Sequence, residues 1–435
     1  MIVTPSMKFL KVFNQGLPNT LLITACVVLS GFLSGVILGH ALAPTLRGEF
    51  AAVLLWPSVL AILGELGLGF AFSFYVEKEK DKIDALWTIA CLVSFVWGGM
   101  LAIAGGMAIP LLVHFSSSAR ICLMWNLVTV PLSLLSGYAA LFLLGTNRIF
   151  QYNVVRLLNA SLYSLGVVLL FFFHRITIEN FTFVYILSVI IGCVVAVGFI
   201  FKYFKPKWQW QVEVVKRVFL YGGKTYLSSL ASQMNLRFDQ LYMSSAVSFE
   251  QLGFYVVAVS FSSMIMPLFV SLAIVTLPRV TLAKDLSAKT EQTIRYFQLG
   301  LITGIPPMIV AIIIAPWLLP ILFSIKYTHS ILLAQILLAG VIFQGSNVIL
   351  GHALRGLGHP GKPAIAEGMG LIVTIVLLLW LVPIYGALGA ALTSLAAYAL
   401  VTFAQLYFVK QVTKIKIYDF FMFSIKFLFP TKRPS

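Results

Sequence analysis

The sequence predicts an all-α polytopic membrane protein. It has about twelve transmembrane helices in two six-helix lobes related by a pseudo-two-fold axis, with both termini cytoplasmic. Three observations lead there. Of its 435 residues, 60% are hydrophobic and only 10% are charged. A soluble domain carries about 25% charge, so a chain this apolar needs lipid as its main solvent. The apolar residues fall into twelve runs of spanning length. Finally, the basic residues that produce a net charge of +16 sit in the short segments between those runs. That pattern belongs to membrane orientation rather than to nucleic-acid binding.

The runs lie near 19–43, 49–75, 85–113, 120–145, 151–173, 180–203, 217–247, 251–281, 293–324, 329–355, 363–384 and 386–410. The first follows Lys8 and Lys11 and precedes "ALA" at 41–43, yet it is far longer than the core of a signal peptide. It reads as an uncleaved first span. Pro57, Pro131 and Pro267 inside later runs are tolerated in membrane helices when neighbours satisfy the freed carbonyls. With the N-terminus placed inside, 24 Lys and Arg fall in inside segments and 4 outside: Arg47, Arg120, Arg175 and Lys326. The third inside segment contributes Arg148 and Arg156. Lys224 and Arg237 remain within a helix. A bias that alternates with every crossing supports twelve spans with both ends in the cytoplasm.

The basic loop at 202–217 divides the spans six and six. "RGEFAAV" (47–53) after the first span is echoed by "QLGFYVV" (251–257) after the seventh, and "FKYFK" (201–205) by "QLYFVK" (405–410). The expected domains are therefore lobes over 1–205 and 206–413, with a cavity between them, and a tail over 414–435. Aromatics spaced by lysines in 414–430 predict an interfacial helix for that tail.

Chemistry is sparse. Cys26, Cys91, Cys122 and Cys193 lie in apolar runs without a CxxC pair. The six histidines form no HExxH, so neither a metal site nor a cofactor is expected. No GxxxxGK[ST] phosphate loop is present.

The exception is "QMNLRFDQLYMSS" (233–245). On a continuous helical wheel, Leu227, Leu230, Ala231, Met234, Phe238 and Leu241 form one narrow face. Ser228, Ser232, Gln233, Asn235, Arg237, Asp239, Gln240 and Ser244 fill a wide opposite arc. A charge at the bilayer centre costs about 2.5–3.5 kcal/mol on insertion scales, so the arc faces water or a polar neighbour. Two readings stay open: Arg237 and Asp239 lock helices together, or this helix lines a solute path with Lys224, Ser232, Gln233, Asn235, Arg237 and Asp239. The other deep acid is Glu65 in "LGELGLGF" (63–70). It either carries a coupling ion, as Asp239 could, or pairs with Lys224 or Arg237.

With these residues in view, the chain resembles the O-antigen and polysaccharide flippases of the multidrug/oligosaccharidyl-lipid/polysaccharide exporter superfamily. "LGHALAPTLRGEF" (38–50), "ELGLGFAFSF" (65–74) and "RFDQLYMSSAVSFEQLGFYVVA" (237–258) carry the likeness. So do "LPRVTLAKD" (277–285), "ALRGLGHPGKP" (353–363) and "LVPIYGALGAAL" (381–392). "LFSIKY" (322–327) departs from it, lacking the usual Gly. The resemblance implies an undecaprenyl-diphosphate-linked oligosaccharide as substrate, moved between leaflets of the bacterial inner membrane by alternating access. Coupling to H+ or Na+ is implied, as is work beside a polysaccharide polymerase and a chain-length regulator in O-antigen and lipopolysaccharide assembly. Cationic groups would hold the head, and Arg suits a diphosphate. A multidrug exporter of the same fold is the first alternative; a lipid II flippase is similar but usually has two more helices. A membrane polymerase, the enzyme alternative, would need a sizeable outside loop carrying polar catalytic groups.

Overall fold

The computed structural model describes residues 5–421, the side chains of residues 5–21, 224, 225, 227, 228 and 417 excepted. The described residues are helical with no strand. Among the described residues, eleven helical stretches are long and apolar enough to cross a membrane. The chain is a multi-pass membrane protein. All twelve expected runs are helical, and the seventh is the one too polar to count among the eleven.

Many spans are not single helices. α1 is Pro5–Ala41; α2 (Pro44–Gly64) and α3 (Leu68–Lys78) together make the second span. The third is α4 (Ile83–Leu92), a π turn at Val93–Trp97 and α5 (Gly98–Leu112); the fourth is α6 (Ser117–Asn126) and α7 (Thr129–Gly145). α8 (Ile149–Phe172) and α9 (Ile178–Tyr203) are continuous. The seventh run is α10 (Val212–Asn235) and α11 (Phe238–Ala246), and the eighth is α12 (Phe249–Ser262) and α13 (Met266–Thr281). α14 (Leu286–Phe323), α15 (Ser330–Gly356), α16 (Gly361–Tyr385) and α17 (Ala387–Thr413) complete the set.

Local chemistry sets the ends. Pro44 opens α2, where its missing N–H costs nothing. Ser116, Thr177, Ser248 and Asp285 cap α6, α9, α12 and α14, each accepting a backbone N–H from three residues on. Glu49, buried in "RGEF", accepts from both the backbone N–H and the hydroxyl of Ser116, at 3.0 and 2.9 Å. The first half of that motif is thereby tied to the start of the fourth span.

The chain divides into two compact units, residues 1–230 and 231–435. The division falls inside α10, beyond the 202–217 loop. In the first unit α7 packs on α3, α8 and α9, and α1 packs along α8. Its core includes Phe72, with Tyr138 edge-on at 5.1 Å and Phe142 at 5.2 Å. In the second unit α15 is central, touching α12, α13, α14 and α17, with α16 against α17. Phe269 of α13 is fully buried and lies against Gly304 and Gly345, where any Cβ would collide with its ring. The expected tail helix at 414–430 lies mostly outside the described residues. Its start is a 3-10 turn at Ile417–Phe420, and buried Phe420 meets Phe297 edge-on at 5.6 Å.

Candidate functional site

The polar stretch of the seventh run does not form one continuous helix. α10 ends at Asn235, Leu236 and Arg237 form a turn, and α11 starts at Phe238. The expected single wet arc is therefore corrected. The break re-aims the residues that follow it, and the polar set separates into buried and exposed groups. Asn235, Asp239 and Ser244 are buried, at 4%, 4% and 3% exposure. Gln233 and Arg237 are exposed and Ser232 is half-buried. The side chain of Lys224 lies outside the described residues.

Tertiary partners account for the burial. One carboxylate oxygen of Asp239 accepts from the backbone N–H of Gln240 at 2.7 Å. The other accepts from the Tyr255 hydroxyl at 2.5 Å and from the Ser394 hydroxyl at 3.3 Å. One turn earlier, the Asn235 amide donates to Glu367 at 3.3 Å and accepts from Thr374 at 2.8 Å. The end of α10 with α16, and α11 with α12 and α17, thus bring together two carboxylates, an amide and three hydroxyls within the second unit. Sequence reasoning missed Glu367, Tyr255, Thr374 and Ser394. They are scattered through three mainly apolar helices with no motif spacing, and only packing joins them to Asp239 and Asn235. Arg237 makes no salt bridge with an acid among the described residues.

Glu65 also sits at a break. Leu66 and Gly67 have φ of 51° and 68°, so the helix stops at Gly64 and resumes at Leu68. A Cβ on Gly67 would strike the backbone carbonyl of Gly222. Two tyrosines donate to carbonyls at the break: Tyr138 to that of Glu65 at 2.9 Å, which also accepts the Leu68 N–H at 3.0 Å, and Tyr226 to that of Leu63 at 2.8 Å. The half-buried Glu65 side chain lines a cavity of about 280 Å³ with Ser133, Gly137, Tyr138 and Leu141. Among the described residues it makes no salt bridge. A neighbouring cavity of about 390 Å³ shares Ser133 and Gly137 with it and contains Arg156.

Chemically, the first unit offers a carboxylate beside an open cavity. The second offers an enclosed cluster of oxygens around a carboxylate, a donor set suited to a proton or a hard cation. Among the described residues no group of three or more His, Cys, Asp or Glu could hold a metal ion.

Over residues 37–332 the chain matches the polysaccharide biosynthesis protein family. It is 23% identical over 270 residues to a putative O-antigen transporter of Shigella flexneri, covering 61% of this chain and 64% of that relative. The matched region is thus under two thirds of that relative's length. In fold the chain is similar to the lipid II flippase MurJ in an inward closed conformation. The TM-score is 0.77 at 16% identity, covering 94% of this chain and 89% of that one. It is also similar to an inward-facing multidrug resistance MATE family transporter of the MOP superfamily. There the TM-score is 0.74 at 13% identity, with 89% and 96% covered.

Proposed function

From the premise that the chain belongs to the polysaccharide biosynthesis protein family, we propose that it is a flippase for a lipid-linked oligosaccharide. It is a transporter with a flippase-type fold rather than an enzyme. In this reading the substrate is an undecaprenyl-diphosphate-linked repeat unit, turned from the cytoplasmic to the periplasmic leaflet of a bacterial inner membrane for O-antigen or other surface-polysaccharide assembly. A polymerase and its chain-length regulator would act on the product. The relative with O-antigen transport in its name supports the substrate class. Sugars and a diphosphate do not cross about 30 Å of hydrocarbon unaided.

The observation that carries the mechanism is that each compact unit places a carboxylate at a break in a membrane helix, Glu65 in one and Asp239 in the other. Broken helices at membrane depth are tolerated where they serve a binding site. Asp239, with Tyr255, Ser394 and the Gln240 N–H around it, is the coupling group for H+ or Na+, and Glu65 is a second candidate. Arg237, exposed and free of a salt bridge among the described residues, offers its guanidinium fork to the diphosphate. Gln233, exposed, and Ser232, half-buried, are the further candidates for the solute path in this unit.

The test is a deletion strain analysed for lipid-linked glycan. The undecaprenyl-diphosphate oligosaccharide should accumulate on the cytoplasmic side while surface glycan is lost, and the wild-type chain should reverse both. Unchanged surface glycan, with cells instead sensitised to cationic drugs, would overturn the proposal in favour of a multidrug exporter.

A further inference from the structure

The cavity holding Arg156 has no part in the machinery described so far. It lies wholly within the first unit, between α7, α8 and α9. Each helix lends it polar side chains three residues apart: Ser133 and Ser136 from α7, Arg156 and Asn159 from α8, Tyr185 and Ser188 from α9. Residues three apart share a helix face, so three polar stripes converge inside segments that are otherwise apolar. By charge, Arg156 counts with the inside segment after the fourth span. Instead it is the eighth residue of α8, about 10 Å along the helix from its start.

Arg156 is half-buried and makes no salt bridge among the described residues. Its guanidinium lies 5.5 Å from the centroid of the Tyr152 ring, one turn back. One turn on, the Asn159 amide packs over Gly192, which has no side chain to obstruct it, and its oxygen is buried with no hydrogen-bond partner. Tyr163 meets Tyr185 edge-on at 5.5 Å along the cavity wall. At about 390 Å³ the space is that of a small-molecule site. A cation at this depth is expensive without an anion nearby, and the walls supply none among the described residues.

We infer that this cavity binds a phosphoryl group borne on a sugar or polyprenyl chain, with Arg156 as its cationic ligand and Asn159 beside it. A guanidinium forks two phosphoryl oxygens, while the amide, serine and tyrosine groups suit sugar hydroxyls. The inference deepens the flippase reading by adding an anion site in the first unit, separate from Arg237, and it rests on that reading for its substrate.

The full chain is reconstituted in nanodiscs of neutral phosphatidylcholine, and binding of farnesyl diphosphate is measured with farnesol as control. Wild type should bind the diphosphate and not the alcohol. Arg156→Gln should weaken binding about tenfold or more, and Arg156→Lys by less. Thermal midpoints recorded beside the affinities separate loss of ligand from loss of fold. Should Arg156→Gln fail to fold, a single cysteine at Ser133, in a background free of the native four, should be protected from a charged thiol reagent by farnesyl diphosphate. Competition by glucose 1-phosphate would assign the group to the glycan end, and its absence to the carrier diphosphate. Equal affinity in wild type and Arg156→Gln, or no protection at Ser133, would overturn the inference and leave the flippase reading intact. A deletion strain with normal surface glycan would overturn the flippase reading and leave the binding result standing.

Discussion

Arg237 and Asp239 are two residues apart in sequence and have separate environments. Asp239 is enclosed by Gln240, Tyr255 and Ser394, whereas Arg237 is exposed with no salt bridge among the described residues. Removing Arg237 strands no paired acid. Arg237→Ala should therefore leave membrane abundance and thermal midpoint unchanged while surface glycan falls, and Arg237→Lys should restore only part of it because an ammonium lacks the fork. Loss of protein from the membrane in Arg237→Ala would instead assign it a structural role. Tyr255→Phe is expected to act the other way. It removes a donor from a buried carboxylate, a loss on the order of 1–3 kcal/mol, and should lower the thermal midpoint of the purified protein. Neither partner could be inferred from sequence, because Tyr255 and Ser394 lie 16 and 155 residues from Asp239.

The decisive features among the elements are the interruptions. Gly67 holds φ of 68° against the Gly222 carbonyl. Gly67→Ala should cost roughly 1–2 kcal/mol in backbone strain alone, with the steric overlap in addition. Reduced yield and a lower thermal midpoint would check it, and wild-type stability would show that α2 and α3 can join without the break. The break between α10 and α11 changes the accessibility pattern expected of a straight helix. Single cysteines at Gln233 and Arg237 should react with a water-soluble thiol reagent in nanodiscs, while cysteines at Asn235 and Ser244 should not. A wheel drawn through 224–246 predicts that Asn235 and Ser244 react, so the experiment tells the broken helix from the straight one. Glycines at 64, 67 and 69 were the legible signal for the first break. For the second, the polar residues were legible and the turn was not, since neither Gly nor Pro marks it.

The charge asymmetry of the whole molecule makes a prediction of its own. Reporter fusions after Lys80, Lys207 and Lys284 should read cytoplasmic, and fusions near Phe115, Phe249 and Tyr385 periplasmic. A periplasmic signal from the 202–217 loop would overturn the twelve-span arrangement. The helical class, the run positions and the family resemblance were all legible, because lipid imposes length and hydropathy on every span independently of its neighbours. The 202–217 loop reads as a boundary by its charge. The contact division nevertheless falls at 230/231, within α10, because compactness follows side-chain packing rather than loop composition.

From sequence alone, then, come a multi-pass helical membrane protein, the places where its spans lie and some of the charges within them, Glu65, Arg237 and Asp239, though not Glu367. These rest on composition and period, which are local quantities. Tertiary structure alone decided which polar groups meet. It enclosed Asp239 with Tyr255 and Ser394, tied Asn235 to Glu367 and Thr374, gave the carbonyls of Leu63 and Glu65 to Tyr226 and Tyr138, and put Arg156 in a cavity wall. The physical reason is that a polar group inside hydrocarbon must find its partner within the protein. Which partner it finds is set by how distant helices pack, and a helical period does not encode that.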